Sequence, residues 1–402
     1  MTGSRPAGGQ ATLNVLSVID SLGQGGAERS LFDLVRGLRQ HGIDTTVAVL
    51  RTREDGFFGA LQASSDLRIE VVGDKRPRAV RLLRALLDSG RFDLVHTSLF
   101  DATLVGRLAA WRTRVPVLTS LVNVSYDPVR LLDPNVSNIK LQFARRIDGW
   151  TARHMNTRFH ALTSAVAEQA SIDFGIEEDA IVVIPRGRDP VEFRPAESPT
   201  ERASIRSELG IDPEAVMFLN VGRHEFQKGH RFLLDAMTSV VDDVPGAVLW
   251  IVGREGNETR AIREQITRHG LDGRVEILGD RRDVNRIMRA ADAFIFPSLY
   301  EGFGGSLIEA MATGLPLIAS DLSPVREVVG EAGILVPPAD WRSLATAMRR
   351  LALDRTEAEA LGSAGLARFQ SNFRLDMVLS DMADLFWETA HIARSEVHGG
   401  RA

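Results

Sequence analysis

The regular alternation of short apolar runs with longer amphipathic stretches is the feature that most restricts how this chain folds. Apolar runs rich in β-branched residues occur at 13–19 and 45–50, and stretches with apolar residues at helical spacing separate such runs. A helix between two strands carries the chain back across a sheet, so successive strands lie parallel. The alternation therefore predicts an α/β protein with doubly wound parallel sheets.

A proline-rich stretch at 185–200 interrupts the alternation, which restarts beyond it. Prolines mixed with charged residues are typical of an interdomain linker. A length of 402 residues also favours more than one domain. We predict, in order, a disordered tail (1–10), an N-terminal Rossmann-like domain (11–190), a C-terminal Rossmann-like domain (191–372) and a final helix that packs back on the N-terminal domain (373–402).

Composition excludes several classes of protein. The sequence has no cysteine, so it forms neither disulfides nor thiolate metal sites. It has no apolar run of about eighteen residues and no signal-peptide core, so we expect a cytoplasmic protein. No basic stretch is interleaved with aromatic residues, which argues against nucleic-acid binding. Two clusters of basic residues, within 75–84 and 140–158, are either solvated helix faces or surfaces that attract an anionic membrane.

The stretch EGFGGSLIEAMATGLP (301–316) follows a predicted buried strand at 293–296. Its glycine-rich turn lies at the carboxyl end of that strand, where ligands bind in open α/β sheets. Two carboxylates, Glu301 and Glu309, lie before the following helix and in its first turn, and can accept hydrogen bonds from sugar hydroxyls. The alternative is structural, since Ser306 and Glu309 also fit a capping box. The candidate ligand-binding residues of the turn are Gly302, Phe303, Gly304 and Gly305.

Two further loops have the composition of anion sites. In VGRHEFQKGH (221–230), Arg223 follows a strand and Lys228 opens the next helix, where both cations would bind a diphosphate. In GQGGAER (23–29), Gly25 and Gly26 lie between a strand and a helix, a setting that suits a phosphate or a sugar. The second loop lacks the acidic partner of a dinucleotide-binding fingerprint. Each loop alone is also compatible with a purely structural turn.

Three more residues are candidates for the acceptor or sugar side of a site. His96 ends the predicted fourth strand and is either a base that contacts substrate or a buried, hydrogen-bonded histidine. Asp20 and Asp127 are candidate carboxylates on the same side. No set of His, Asp and Glu has a metal-ligand spacing such as HExxH.

Together these motifs resemble the retaining glycosyltransferases of family 4, the "glycosyl transferases group 1" class, which have the GT-B fold. The resemblance covers most of the chain. It is carried by the GGAER loop, by VGRHEFQKG, and above all by the long segment LGDRRDVNRIMRAADAFIFPSLYEGFGGSLIEAMATGLPLIASDLSPVREVV, which includes the pair Glu301 and Glu309.

The resemblance implies a role for each residue. Two Rossmann-like domains would face each other across a cleft, the N-terminal one on the acceptor side and the C-terminal one holding the nucleotide-sugar. Arg223 and Lys228 would hold the donor diphosphate, Glu309 the ribose hydroxyls, and Glu301 with the glycine turn the donor sugar. Gly25 and Gly26 would approach the phosphates from the opposite domain. No metal or other cofactor is expected, because cations and helix dipoles stabilise the leaving diphosphate.

The sequence departs from the family pattern at two places. Many members carry a histidine near the donor sugar after the fifth strand, and Asn123 stands about there. Asparagine can hydrogen-bond a sugar but does not titrate. The family's IPNGVD appears as IPRGRD, which introduces Arg186 and Arg188. Both departures suggest a subgroup with an unusual sugar or acceptor, or with altered activity.

The resulting prediction is a glycosyltransferase that moves a sugar from a nucleotide-diphospho-sugar to an acceptor hydroxyl with retention of configuration. The expected acceptor is a saccharide or lipid-linked acceptor of cell-envelope, polysaccharide or glycolipid biosynthesis, with peripheral contact of the protein at the inner face of an anionic membrane. Two alternatives stay open, a sugar-nucleotide epimerase of the same fold and a non-catalytic nucleotide-sugar-binding homologue.

Overall fold

The computed structural model describes residues 12–23, 25–53 and 67–399, with side chains as far as residue 392. The predicted tail at 1–10 lies outside the described residues. The described chain divides into two compact units, one of residues 12–126, 138–186 and 376–399 and one of residues 127–137 and 187–375. The change of unit falls at Gly187 rather than at 191, and the short segment 127–137 belongs to the second unit.

The first unit is built on a parallel sheet of seven strands in the order β3-β2-β1-β4-β5-β6-β7. Its strands are β1 (Leu13–Ile19), β2 (Ile43–Val49), β3 (Arg68–Val71), β4 (Leu94–Ser98), β5 (Val117–Leu121), β6 (Arg158–Ala161) and β7 (Ile181–Val183). The order reverses between β1 and β4, which makes this pair the switch point of the sheet.

Helices cover the strands of the first unit. They are α1 (Gly26–Gly37), α2 (Arg76–Asp88), α3 (Phe100–Ala110), α4 (Asn138–Met155), α5 (Ser164–Phe174) and, at the other end of the chain, α14 (Leu375–Gly399). Short 3₁₀ turns occur at Leu38–His41 and Glu178–Ala180. Helix α14 packs in this unit, where the Phe386 ring lies 5.1 Å from the His96 ring. Leu379 also occupies the space that a side chain at Gly37 would need.

The second unit repeats the architecture with a parallel sheet of six strands in the order β10-β9-β8-β11-β12-β13. Its strands are β8 (Val216–Val221), β9 (Ala247–Val252), β10 (Val275–Gly279), β11 (Ala293–Phe296), β12 (Leu317–Ser320) and β13 (Ile334–Val336). The order reverses between β8 and β11, so the loops that follow these two strands open at the switch point.

The helices of the second unit lie on both faces of its sheet. They are α6 (Pro199–Glu208), α7 (His230–Asp243), α8 (Thr259–Arg268), α9 (Val284–Ala290), α10 (Gly305–Ala312), α11 (Ser323–Val329), α12 (Trp341–Leu353) and α13 (Arg355–Asn372), with 3₁₀ turns at Pro128–Leu132 and Phe226–Lys228. Strands β8, β9 and β11 are almost fully buried, as expected for a parallel sheet covered on both sides. The α/β class with doubly wound parallel sheets is thus confirmed.

Several predicted element bounds were wrong for identifiable reasons. The fifth strand begins only at Val117, although the apolar run starts with Val115 in the sequence, because Pro116 has no N–H to donate to the sheet. The fourth strand extends to Ser98, which places His96 in its middle rather than at its end. Strand β13 was not predicted, since its three residues give too short an alternating pattern to recognise.

Candidate active site

Two loops at the switch point of the second sheet are joined by hydrogen bonds. The loop after β8 contributes Gln227, whose side-chain amide donates to the Tyr300 carbonyl over 2.8 Å. The Leu299 N–H of the loop after β11 donates to the Gln227 carbonyl, also over 2.8 Å. These bonds fix the segment that carries Lys228 against the segment that carries Glu301.

Gly229 allows the two loops to approach so closely. Its φ is +64°, and a Cβ built on it would lie 2.1 Å from the Pro297 carbonyl oxygen. A larger residue would therefore be both strained and in collision with backbone. Helix α7 begins at His230, so Lys228 does not open that helix as predicted but ends the 3₁₀ turn before it. Gly229 has the left-handed conformation that separates the turn from the helix.

The ammonium of Lys228 forms an ion pair with the Glu301 carboxylate. Both side chains are largely shielded from solvent, with 18% and 9% of their surfaces exposed. The Ser298 hydroxyl also donates to Glu301, over 3.4 Å. The ammonium lies 5.3 Å from the centre of the Phe296 ring, a favourable position for a cation over an aromatic face. The two residues that the sequence assigned to diphosphate and sugar are thus in direct contact.

Arg223 is close to Lys228 in sequence but lies in a different environment. It follows β8 after a single glycine, and its side chain is exposed. Among the residues that the structure describes, none accepts a hydrogen bond from its guanidinium. Arg223 is therefore a cation at the switch point that needs no internal bond broken before it binds an anion.

Glu309 is held by an arginine and not by a capping box. Its Oε1 accepts a hydrogen bond of 2.6 Å from the Nε of Arg188. The predicted capping box is wrong because Gly304, with φ +86°, occupies the N-cap position. Ser306 already lies inside the helix and donates to the Val221 carbonyl. Glu309 is consequently in the second turn of α10 rather than the first.

The glycine turn before α10 presents backbone rather than side chains. The Phe303 side chain is buried and packs edge-on against Phe373, with ring centres 5.9 Å apart. A Cβ at Gly304 would lie 2.7 Å from the Leu307 side chain, so only glycine fits there. Because Gly302 and Gly305 also lack side chains, the backbone around Phe303 is the part of this turn that can meet a ligand.

In the first unit, Gly25 and Gly26 lie at the amino end of α1, where Gly25 is the N-cap. No side chain caps this end, among the residues described. A Cβ at Gly26 would lie 2.7 Å from Nη1 of Arg186, so glycine leaves room for that guanidinium. The first turn of α1 thus combines free helical N–H groups with a neighbouring cation, a setting that favours an anion.

Asp20 follows β1 and caps the neighbouring helix α3. Its Oδ1 accepts a hydrogen bond of 2.7 Å from the Ala102 N–H in the first turn of α3. Burial raises the pKa of the Asp20 carboxyl to about 6, and the nearby Asp101 adds to this effect. Asp127, in the second unit, has a similar local role, because it accepts from the Val129 N–H at the start of a 3₁₀ turn. The structure therefore gives each carboxylate a capping function.

His96 is the buried, hydrogen-bonded histidine of the two alternatives given above. Its Nε2 lies 2.8 Å from the Ser120 hydroxyl, and Ser120 in turn lies 2.9 Å from Nδ1 of His160. His160 continues the chain to the Ile184 carbonyl over 2.8 Å. Burial lowers the pKa of His96 to about 3 and that of His160 to about 4. A neutral, fully enclosed imidazole in the middle of a strand is poorly placed to act as a base on a substrate.

Asn123 lies in the loop after β5, above a cavity of about 60 Å³. Its Oδ1 accepts from the Val124 N–H over 2.9 Å, which leaves the amide NH₂ to donate. The floor of the cavity contains Arg107, which is buried in α3 and pairs with Asp148 over 2.7 Å. Among the described residues, Nη2 of Arg107 has no hydrogen-bond partner. A cavity of this size holds about four water molecules, which would satisfy it.

Arg107 and Asp148 were not recognised from the sequence, and Arg188 was recognised only as a departure from the family's IPNGVD segment. Arg107 interrupts an otherwise apolar helical face, LVGRLAA, and this charge at a buried position was the available signal. Nothing local marks Arg188 as a partner of Glu309. The structure describes no group of three or more His, Cys, Asp or Glu side chains arranged to hold a metal ion.

Two family models match the chain. "Glycosyl transferases group 1" matches residues 215–354, and "Glycosyl transferase 4-like domain" matches residues 25–187. The solved structure of HepE from Anabaena, in complex with UDP and glucose, superposes with a TM-score of 0.81 at 23% identity and covers 94% of this chain and 100% of that one.

Three curated relatives extend the comparison. A D-inositol 3-phosphate glycosyltransferase of Streptomyces bingchenggensis is 30% identical over 335 residues, 77% of this chain and 70% of the relative. A UDP-Gal:alpha-D-GlcNAc-diphosphoundecaprenol alpha-1,3-galactosyltransferase of Escherichia coli is 28% identical, over 68% and 70% of the two chains. The lipopolysaccharide core biosynthesis mannosyltransferase LpsB of Rhizobium meliloti is 29% identical over 51% of this chain, and the match spans 60% of that relative.

The two doubly wound parallel sheets and this likeness show the GT-B fold. The chain belongs to the group 1 glycosyltransferases, also termed family 4, and is a nucleotide-sugar glycosyltransferase. The prediction of family, fold and enzyme class from the sequence is confirmed.

Proposed function

We propose that this enzyme transfers a sugar from a nucleoside-diphosphate sugar to an acceptor hydroxyl with retention of configuration, in the assembly of a cell-envelope saccharide, polysaccharide or glycolipid. The observation that carries the proposal is the contact between Lys228 and Glu301 at the switch point of the second sheet. An exposed Arg223 and the carboxylate of Glu309 lie on neighbouring elements of the same unit. This set offers cations for a diphosphate and carboxylates for hydroxyl groups.

In this mechanism the ion pair exchanges partners. The donor diphosphate binds Arg223 and draws Lys228 away from Glu301, and Glu301 then accepts hydrogen bonds from the donor sugar. As the bond between the anomeric carbon and the diphosphate oxygen breaks, negative charge grows on the diphosphate, and both cations stabilise it. The acceptor oxygen bonds to the anomeric carbon on the face that the diphosphate leaves. The acceptor proton passes to the leaving phosphate oxygen.

Glu309 and the backbone of the glycine turn complete the donor side. The Glu309 carboxylate accepts from the ribose hydroxyls, and the N–H groups around Phe303 contact the donor sugar. The first unit has candidate ligand-binding groups of its own: the amide of Asn123 can donate to a hydroxyl, and the helical N–H groups at Gly25 and Gly26 suit a phosphate. Asp20, Asp127 and His96, the candidates for the acceptor or sugar side, have no role in this proposal, because each is occupied by a structural hydrogen bond.

UDP is the first nucleotide to test. HepE was solved with UDP and glucose and also with UDP-glucose, and the Escherichia coli relative is named for UDP-Gal. Thermal unfolding with UDP, GDP, ADP and their sugars is the direct experiment, because a ligand that binds the native state raises the midpoint. A rise with one nucleotide family alone identifies the donor base. If none of these ligands raises the midpoint, the proposed donor class is wrong.

Incubation with the donor alone distinguishes this activity from its alternatives. A transferase releases nucleotide slowly without acceptor and faster with it. An epimerase converts the donor sugar with no acceptor present, and a protein that only binds leaves the donor intact. Asn123→His, which introduces the residue many family members carry, is expected to retain or raise turnover if Asn123 contacts the sugar.

We also propose peripheral contact with an anionic membrane through helix α4. Its residues Ile139, Phe143 and Trp150 follow helical spacing and are 83%, 66% and 46% exposed. The basic residues Lys140 and Arg146 are exposed on the same helix. An apolar stripe flanked by cations suits an interfacial helix, and the Escherichia coli relative is named for a diphosphoundecaprenol acceptor. Within the part of the chain that the structure describes, every helix is too short or too polar to cross a bilayer.

Co-sedimentation with vesicles rich in phosphatidylglycerol tests this surface at low salt. Phe143→Ser is expected to reduce the bound fraction, because it removes the centre of the stripe. Ile172→Ser changes a similarly exposed residue on α5 and serves as the matched control. If wild-type protein does not sediment, or if both variants lose equally, α4 is not the contact.

A further inference from the structure

We infer that Arg188 is a positioning residue that sets the carboxylate of Glu309 for the nucleotide ribose. The inference rests on the proposed function, in which Glu309 accepts from the ribose hydroxyls. It concerns a residue that the sequence marked only as a departure from the family's IPNGVD segment, with no role assigned to it.

The contact between the two side chains is short and enclosed. Nε of Arg188 donates to Oε1 of Glu309 over 2.6 Å. The Arg188 side chain is 2% exposed and that of Glu309 is 14% exposed. Charge-assisted hydrogen bonds of this length are among the strong ones, and shielding from water makes them stronger.

The backbone of Arg188 is itself fixed. Its N–H donates to the Phe373 carbonyl and its carbonyl accepts from the Leu375 N–H, both over 2.9 Å. Its Nη1 also donates to the Gly187 carbonyl over 2.9 Å. Hydrogen bonds thus hold both the backbone and the guanidinium of Arg188. The guanidinium in turn restricts the Glu309 side chain, which has three rotatable bonds.

This arrangement leaves one oxygen of Glu309 for a ligand. Oε1 is taken by Arg188, and no other described group donates to this carboxylate. A carboxylate offers about four acceptor positions, two on each oxygen, so both positions of Oε2 stay available. The two neighbouring hydroxyls of a ribose can donate to these two positions. Arg188 therefore determines where the ribose acceptor points, while the ribose itself need not touch Arg188.

A purely structural role explains the pair less well. Replacing a buried ion pair by apolar residues is often neutral or stabilising, so such a pair is weak evidence for stability alone. The partner of Arg188 is moreover the one helix α10 carboxylate that the family resemblance assigns to the nucleotide. The geometry thus points to pre-organisation of that carboxylate.

The test measures how strongly binding depends on the ribose hydroxyls. Calorimetric titration compares UDP with 2′,3′-dideoxy-UDP on wild type, Arg188→Met and Glu309→Gln. Wild type is expected to bind UDP roughly 10- to 100-fold more tightly than the dideoxy analogue, as for a hydrogen bond to a charged group. In Arg188→Met this ratio should fall to within about threefold of one, chiefly through weaker UDP binding. Glu309→Gln should lower the ratio as well.

Arg206→Met is the matched control. Arg206 is also a buried arginine of the second unit, and it pairs with Asp292 over 3.1 Å. Its loss should lower the unfolding midpoint but leave the ribose ratio at the wild-type value. If Arg188→Met does not fold, Arg188→Lys keeps the charge without the Nε–H and is expected to show an intermediate ratio.

The outcomes separate this inference from the proposed function. Unchanged ribose discrimination in folded Arg188→Met, with discrimination in wild type, overturns the role of Arg188 alone. Wild type that binds UDP without discriminating the analogue overturns it too, and leaves the donor class intact. Wild type that binds neither UDP nor the GDP and ADP equivalents overturns both.

Discussion

The Tyr126 hydroxyl donates to the Asp148 carboxylate over 2.9 Å and so ties the loop after β5 to helix α4. The other oxygen of Asp148 accepts from Arg107, whose guanidinium is fully buried. One carboxylate therefore holds both the loop that carries Asn123 and a buried cation. Loss of the tyrosine bond removes one donor from the carboxylate, whereas loss of the carboxylate leaves the buried guanidinium without a counter-charge. Mutations of Tyr126 and Asp148 can therefore distinguish the two bonds.

Tyr126→Phe is expected to lower the free energy of unfolding by about 1.5–3 kcal/mol, the usual contribution of a hydrogen bond to a charged group. Asp148→Asn should cost about 3–5 kcal/mol, because it leaves the buried charge of Arg107 without its partner. Urea unfolding of both variants measures the difference. Equal losses would show that Arg107 finds another counter-charge. Tyr126→Phe should also reduce turnover if the loop must be ordered to place Asn123.

Lys228→Ala is expected to lower turnover on the order of 10²-fold, because it removes one of the two cations that we propose to stabilise the leaving diphosphate. The same change leaves the enclosed carboxylate of Glu301 without its counter-charge, so some stability should be lost as well. Lys140→Ala removes an exposed lysine of α4 and serves as the control in the donor-hydrolysis assay. Unchanged donor binding and turnover in Lys228→Ala would refute the assignment of the site.

A comparison of Gly229→Ala with Gly210→Ala should distinguish the effect of backbone strain from that of loop displacement. A Cβ there meets the Pro297 carbonyl oxygen at 2.1 Å, so the loop that carries Lys228 must move away from Glu301. Gly210 has a similar φ of +72° with open space around it, so Gly210→Ala incurs the strain alone. Both variants are expected to lose roughly 1–3 kcal/mol of stability. Only Gly229→Ala should lose turnover, by about 10²-fold for a displacement near 1 Å. Equal turnover in the two variants would contradict this.

Acid should destabilise the protein through its buried histidines. Burial lowers the pKa of His96 to about 3, of His160 to about 4 and of His230 to about 3, whereas 6.5 is the ordinary value. The unfolded chain therefore takes up these protons first, so stability is full above pH 6.5 and falls between there and pH 4. In this range, each such histidine lowers the free energy of unfolding by about 1.4 kcal/mol for each pH unit of acidification.

Urea unfolding between pH 8 and 4.5 tests this. His230 has no hydrogen-bond partner for either ring nitrogen among the described residues. The protein should therefore tolerate His230→Leu at pH 8. The variant should also reduce the slope of the free energy of unfolding against pH by the contribution of one proton. His154→Gln changes an exposed histidine and is expected to keep the wild-type slope. If His230→Leu keeps the full slope, His230 does not resist protonation in the folded state.

The fold was predictable because its signals are local. The buried strand Ala293–Phe296 is an unbroken apolar run, and Val216–Val221 is interrupted only by Asn220. The turns after both strands contain glycine where the backbone requires it. The edge strand Ile334–Val336 is too short to carry a pattern. Pro116 shifted the fifth strand in a way that a count of apolar residues does not reveal.

For the candidate site, the sequence named residues but not the contacts between them. Motif spacing brought Lys228 and Glu301 to one sheet edge, but their ion pair depends on two loops meeting across the switch point. His96 was ambiguous because burial depends on what packs over it, and Phe386 lies 290 positions away in sequence. Arg188 and Glu309 are separated by 121 positions, and nothing near either residue announces the other. Long-range partners of this kind require the folded structure.

The enclosed pair of Lys228 and Glu301 also bears on how the enzyme clears its product. In the proposed mechanism, an intact donor supplies phosphate to the lysine and hydroxyls to the glutamate, so both charges keep a partner. A nucleotide that has lost its sugar can satisfy the lysine only, and leaves a shielded carboxylate with nothing to accept from. The Glu301 carboxylate then competes with the product nucleotide for Lys228. We therefore expect weak product inhibition, with release favoured by the enzyme's own counter-ion.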